Sequence, residues 1–127
     1  VIMALNEIFR DADHLSLPVP SGTVKGSPVR IGGLNGVTET DRADSTAVDQ
    51  LRGPAVNLNP DGNATVWLKG AHEFQVSFAI TNVGDPVYIT PSNTLAATDN
   101  SGANALYGHA LTTKSATAGP LTVRIAN

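Results

Sequence analysis

The chain of 127 residues contains no cysteine, which excludes disulfide staples and thiolate metal sites. It is also poor in charge. Only 15% of its residues are charged, against about 25% in a typical globular domain. A surface so thinly charged suits coverage by a partner or by further copies of the chain. Net charge is −3, and no run of Lys or Arg exists. The basic patch needed to neutralise phosphates is therefore missing, and no direct nucleic-acid partner is expected. No apolar run approaches the roughly 18 residues of a membrane span, so no membrane partner is expected either. Val1 to Leu5 is apolar but short, without the basic region of a secretory signal.

Catalytic and metal-binding patterns are equally scarce. His72 and Glu73 are an adjacent histidine–carboxylate pair, as are Asp13 and His14. On a strand the two members of a pair point to opposite faces and cannot share a metal or a proton. His109 stands alone, and solvated or hydrogen-bonded roles suit it and His14. Asp41, Asp44 and Asp49 lack the alternating oxygens and closing Glu of a calcium loop. No serine sits in a nucleophile elbow. Neither glycine cluster, 22–26 or 32–36, has the spacing and lysine of a phosphate-binding loop. The expectation is a protein that is no enzyme, with no cofactor and no metal.

What the sequence does contain is turn-and-strand grammar. Gly84-Asp85-Pro86-Val87-Tyr88-Ile89 runs from a tight turn into alternating side chains, and Gly26-Ser27-Pro28-Val29-Arg30-Ile31 repeats it. Glycine permits a backbone conformation that other residues avoid, and proline fixes φ without donating to a ladder. Gly26, Pro28, Gly84 and Pro86 are read as structural turn residues. Two further echoes follow in the same order. Arg52-Gly53-Pro54-Ala55-Val56 resembles Tyr107-Gly108-His109-Ala110-Leu111, and Thr65-Val66-Trp67-Leu68 resembles Thr122-Val123-Arg124-Ile125. Two similar β-units that pack together are expected.

Other strands are predicted over 64–68, 73–78, 104–111 and 121–125, with turns every 8–12 residues. Phe74, Val76 and Phe78 share one face, as do Leu121, Val123 and Ile125. Trp67 and Phe74 read as core. Asn35-Gly36 predicts a hairpin turn, since both residues tolerate positive φ. Gly108 within its strand predicts a bulge. Residues 38–50 are the most charged stretch and read as an exposed loop. The strand at 51–58 carries Pro54 and is expected at an edge.

Residues 1–14 differ. Leu5, Ile8, Phe9 and Ala12 fall on a helical stripe too short to be stable alone, so the segment reads as an arm ordered against something else. The division is an arm over 1–14 and a β domain over 15–127. The fold class is all-β, a small β-sandwich or barrel-like body of two similar β-units with an N-terminal arm.

Pro20 to Val37, Gly84 to Tyr88, Tyr107 to Leu111 and Thr122 to Ile125, taken in order and spacing, resemble the head decoration, or capsid cement, proteins of tailed phages. That resemblance implies a homotrimer on the outer capsid surface of the virion that clamps the major capsid protein. The family has no catalytic residues to transfer. Within this reading Leu5, Ile8, Phe9 and Arg10 of the arm are the candidate capsid-binding residues. The alternative is a surface-exposed carbohydrate- or host-binding β-module. Such sites present exposed aromatics, and Tyr88 and Tyr107 are the candidates here.

Overall fold

The computed structural model describes residues 12–44, 48–49, 53–54 and 59–127. Their regular structure is β-strand alone, as the alternating patterns require. In chain order the strands are β1 (His14–Pro18), β2 (Pro28–Ile31), β3 (Leu34–Thr38), β4 (Val48–Asp49) and β5 (Gly53–Pro54). Then come β6 (Asn63–Trp67), β7 (Ala71–Val76), β8 (Pro86–Ile89), β9 (Leu95–Ala96), β10 (Ala105–Ala110) and β11 (Gly119–Ile125). A four-stranded sheet has the order β1-β6-β3-β2, and a five-stranded sheet has the order β7-β11-β10-β8-β9. All pairings are antiparallel, and β4 and β5 form a separate ribbon. The strand expected over 51–58 lies outside the described residues except for Gly53 and Pro54, which pair in that ribbon.

The two sheets are copies of one plan. Strands β1, β2, β3 and β6 correspond to β7, β8, β10 and β11, joined in the same order. Leu17 pairs with Ala64 in the first sheet, and Phe74 pairs with Leu121 in the second, each residue 57 positions on. Loop bonds repeat as well. Gly26 N–H donates to Thr38 O at 2.7 Å, and Gly84 N–H donates to Ala110 O at 2.7 Å. Leu68 N–H donates to Asp13 O, and Ile125 N–H donates to Gly70 O. Gly26 (φ 80°) and Gly84 (φ 95°) both use the left-handed conformation that favours glycine.

Two sequence expectations require correction. The partner of Gly108 is Gly36, not Gly53. Val29 pairs with Gly36 just as Val87 pairs with Gly108. The third strand escapes a constant spacing because residues 32–33 join β2 to β3, whereas residues 90–104, including β9, join β8 to β10. Asn35-Gly36 is also not the hairpin turn. Gly32 and Gly33 make it, with Gly32 at φ 61°. Asn35 and Gly36 lie inside β3, both buried.

The loop after β3 is more tightly held than its charge implied. Glu39 N–H donates to Thr65 O, Arg42 N–H to Thr23 O and Ala43 N–H to Asn63 O. Ala43 is buried. The second unit repeats this arrangement, with Leu111 N–H donating to Thr122 O and Lys114 N–H to Ile80 O. Arg42 and Lys114 also match in their side chains. Arg42 Nε donates to Val19 O, and Lys114 Nζ to Phe78 O, Ser115 O and Thr117 O. The cations saturate backbone carbonyls at the turn instead of facing solvent.

Core volume is unequal. The second unit buries Phe74 and Leu121 where the first has the half-buried Leu17 and the small Ala64. Leu121, Val123 and Ile125 all point inward, as their alternation predicts. Trp67 is only half-buried, stacked on His14 with ring centroids 4.5 Å apart.

Two buried side chains tie the units together. Asn35 Nδ2 donates to Leu106 O and Ala126 O, both at 2.8 Å, and Asn35 Oδ1 accepts from Arg30 at 2.7 Å. Tyr107 crosses the other way. The register of β10 against β8 shifts between Leu106 and Gly108, so Tyr107 is the extra residue of a bulge. Its hydroxyl donates to Gly36 O at 2.6 Å, and its ring meets Phe74 edge-on.

Tyr107→Phe is expected to cost about 1 kcal/mol, because the buried Gly36 O loses the phenol and keeps only its bond to β2. Urea unfolding should show a lower midpoint and an unchanged slope. Burial also raises the Tyr107 phenol above its ordinary value of 10.0. The folded state thus favours the neutral form. Its stabilising effect is complete below pH 10 and is lost as pH rises further. The alkaline loss should be smaller in Tyr107→Phe.

Candidate functional site

A groove of about 910 Å³ is walled by three segments distant in sequence. Residues 24–28 form the turn into β2, residues 73–78 carry β7 and its exit, and residues 93–97 carry β9. The β8 connection, long enough to hold β9, sets the last wall in place. Alternation builds the floor. On β7, Phe74 and Val76 turn inward while Glu73 and Gln75 stay exposed. Leu95 on β9 is buried beside them in the same apolar cluster, and Phe78 packs against it. The groove is therefore apolar beneath, with Lys25 and Glu73 as the charged groups on its walls.

Strands β7 and β9 are the two ends of the five-stranded sheet. Their outer edges have no strand partner among the described residues. The corresponding end of the first sheet, β2, is partly closed by its neighbour, since Arg30 N–H donates to Asn93 Oδ1 at 3.2 Å. Among the described residues, open strand edges thus lie at the groove, on β7 and β9, and also on β1 at the other end of the first sheet. An edge of this kind is a template for a further strand.

The predicted site residues divide. Gly26 and Pro28 line the groove. Gly84 and Pro86 occupy the equivalent turn of the second unit, away from it. Leu5, Ile8, Phe9 and Arg10 lie outside the described residues. His14, the last residue assigned to the arm, is the first residue of β1, and Asp13 already bonds to Leu68. Of the two tyrosines, Tyr107 is fully buried and cannot present a ring to a glycan, while Tyr88 is half-buried on β8. The sequence reading missed the groove, whose walls meet only through the antiparallel pairing. The visible signal was the apolar face of 73–78, wider than one small unit needs.

No group of three or more His, Asp or Glu side chains could hold a metal ion among the described residues. His72 Nε2 lies 3.1 Å from Lys69 O, and His14 is stacked on Trp67. What the arrangement can do is hold an extended apolar segment. It offers apolar contact from below and backbone donors and acceptors at the side.

A family model described as phage cement protein matches residues 9–126. No curated protein and no solved structure matches the chain.

Proposed function

This chain belongs to the phage cement protein family, a capsid-associated structural family, and on that premise we propose that it decorates the outer surface of a phage head as a homotrimer. Each trimer binds the major capsid protein and bridges neighbouring subunits. The match over residues 9–126 is the observation that carries the reading. The low charge and the tightly bonded loops support it, because an adhesive body needs rigidity and a coverable surface and no catalytic group.

The energetic logic is multivalency. Three modest contacts on one rigid body act together, since the second and third form at high effective concentration. Bridging adjacent subunits opposes the outward pressure of packaged genome. The β domain, 15–127, forms the body. The arm, 1–14, adds apolar contact through Leu5, Ile8 and Phe9, with Arg10 beside them, against capsid protein or a neighbouring copy. Each such side chain is worth roughly 1.5–3 kcal/mol when buried.

Mixing the purified chain with undecorated capsids and sedimenting them tests the proposal. The chain should pellet with the capsids in saturable amounts and raise their disruption temperature. If it stays in the supernatant at every capsid concentration, the proposal fails.

A further inference from the structure

We propose that the groove between β7 and β9 receives residues 1–11 of a second copy of this chain, laid along the free edge of β7 as an added strand. The inference rests on the self-association in the preceding reading and commits the arm to a neighbouring copy.

Three observations converge. First, the groove pairs an apolar floor with a sheet edge that lacks a strand partner among the described residues. An extended peptide satisfies both, through main-chain bonds at the edge and alternate side chains below. Second, the arm alternates. In an extended segment Val1, Met3, Leu5 and Phe9 share one face with Glu7, and Ile2, Ala4 and Ile8 share the other with Asn6 and Arg10, so either face can meet an apolar floor. Glu7 and Arg10 also carry charges complementary to Lys25 and Glu73 of the groove walls.

Third, the arm leaves the body close to a groove wall. Gly26 bonds to Thr38, Thr38 pairs with Val66, and Val66 pairs with Leu15 near the start of β1. Three strand spacings, roughly 14 Å, separate that wall from the arm's root. The arm itself reaches up to roughly 36 Å when extended. Copies that pass arms to one another therefore bring root and groove together, and a head-to-tail exchange closes into a ring. A self-association interface is what the homotrimer requires, and an exchanged strand supplies it.

The absence of cysteine makes the test clean. A variant carrying Asn6→Cys and Gln75→Cys holds one thiol on the arm and one on β7, both on the face turned away from the groove floor. Under mild oxidation it should form covalent dimers and trimers, with loss of the monomer band on denaturing gels. Each single variant should remain monomeric on the same gels. A pair with Ala4→Cys and Ser77→Cys, on the same outward side, repeats the measurement should the first be poorly folded. A disulfide closed within one chain, or none at all in folded protein, overturns the proposal. Sedimentation with capsids separates the two ideas. A folded variant that pellets with capsids yet forms no cross-link between copies refutes arm exchange and leaves the cement role standing.

Discussion

Gly108→Ala should be the most destabilising single-methyl change in the molecule, lowering the thermal midpoint by about 15 °C, equivalent to roughly 4 kcal/mol for a chain of this size. A Cβ at this position would fall far inside contact distance of Arg124 O, with Arg124 C and Val123 Cγ1 both at 3.0 Å. The obstacle is backbone of β11, the strand paired to β10, and it cannot rotate aside as a side chain can. Relief requires the two strands to part in the middle of the second sheet, beside the fully buried Tyr107, Leu121 and Val123. Overpacking in a well-filled core costs 1–3 kcal/mol or more, and backbone collisions lie at the upper end. Gly36→Ala repeats the experiment in the first unit, where a Cβ would meet Trp67 O at 2.7 Å and the Val66 side chain. A smaller loss is expected there, since the surrounding core is smaller and Val66 can adjust in part. A Gly108→Ala midpoint within about 3 °C of the parent would show that the strands do not approach as closely as described.

Asn35→Leu should cost about 3 kcal/mol, although it removes no volume and adds apolar surface. Three bonds disappear together, to Leu106 O, Ala126 O and the Arg30 guanidinium. Ala126 O is then left in the seam without a donor and Leu106 O keeps only the long bond from Arg30 at 3.5 Å, and unsatisfied groups cost more than the bonds themselves contribute. Asn127 holds the same residue from the other side, with Oδ1 accepting Asn35 N–H and Nδ2 donating to Asn35 O, both at 2.8 Å. The double variant with Asn127→Ala should therefore lose less than the sum of the two single losses. Denaturant unfolding of the four proteins measures this directly. A mild effect of Asn35→Leu, below about 0.5 kcal/mol, would indicate that water replaces the lost donors and that the seam is wet.

The contrast between these residues and the rest explains how far the sequence could be read. Alternation along 121–125 and 73–78 is a local property, and it identified both the strands and their inward faces. The turns at Gly26 and Gly84 were legible for the same reason, since positive φ and a following proline are local demands. Matching Gly53 to Gly108 failed because a constant spacing was carried across connections of unequal length. Asn35-Gly36 misled because dipeptide preference gave way to two tertiary needs. Asn35 must reach the second unit, and Gly36 must let β6 come close. The groove depends on residues far apart in the chain, and the apolar face of 73–78 gave one wall of it without its partners. The arm residues, Leu5 to Arg10, were chosen by periodicity alone and lie outside the described residues.

The correspondence between the two sheets has a consequence for the chain's ancestry. Each half repeats the same pairing plan, the arrangement that joining a small unit to its own copy would produce. The seam is where the copies have ceased to be interchangeable. Asn35 and Leu106 occupy the same place in their respective strands, each opposite the matching residue of β2 or β8. Yet one now donates the hydrogen bond that the other accepts. Tyr107 exists in one half only, as an inserted residue. Two identical first halves would still offer a backbone carbonyl to Asn35 but would have no tyrosine to send across. The present molecule is thus built of two like halves that differ at the seam joining them.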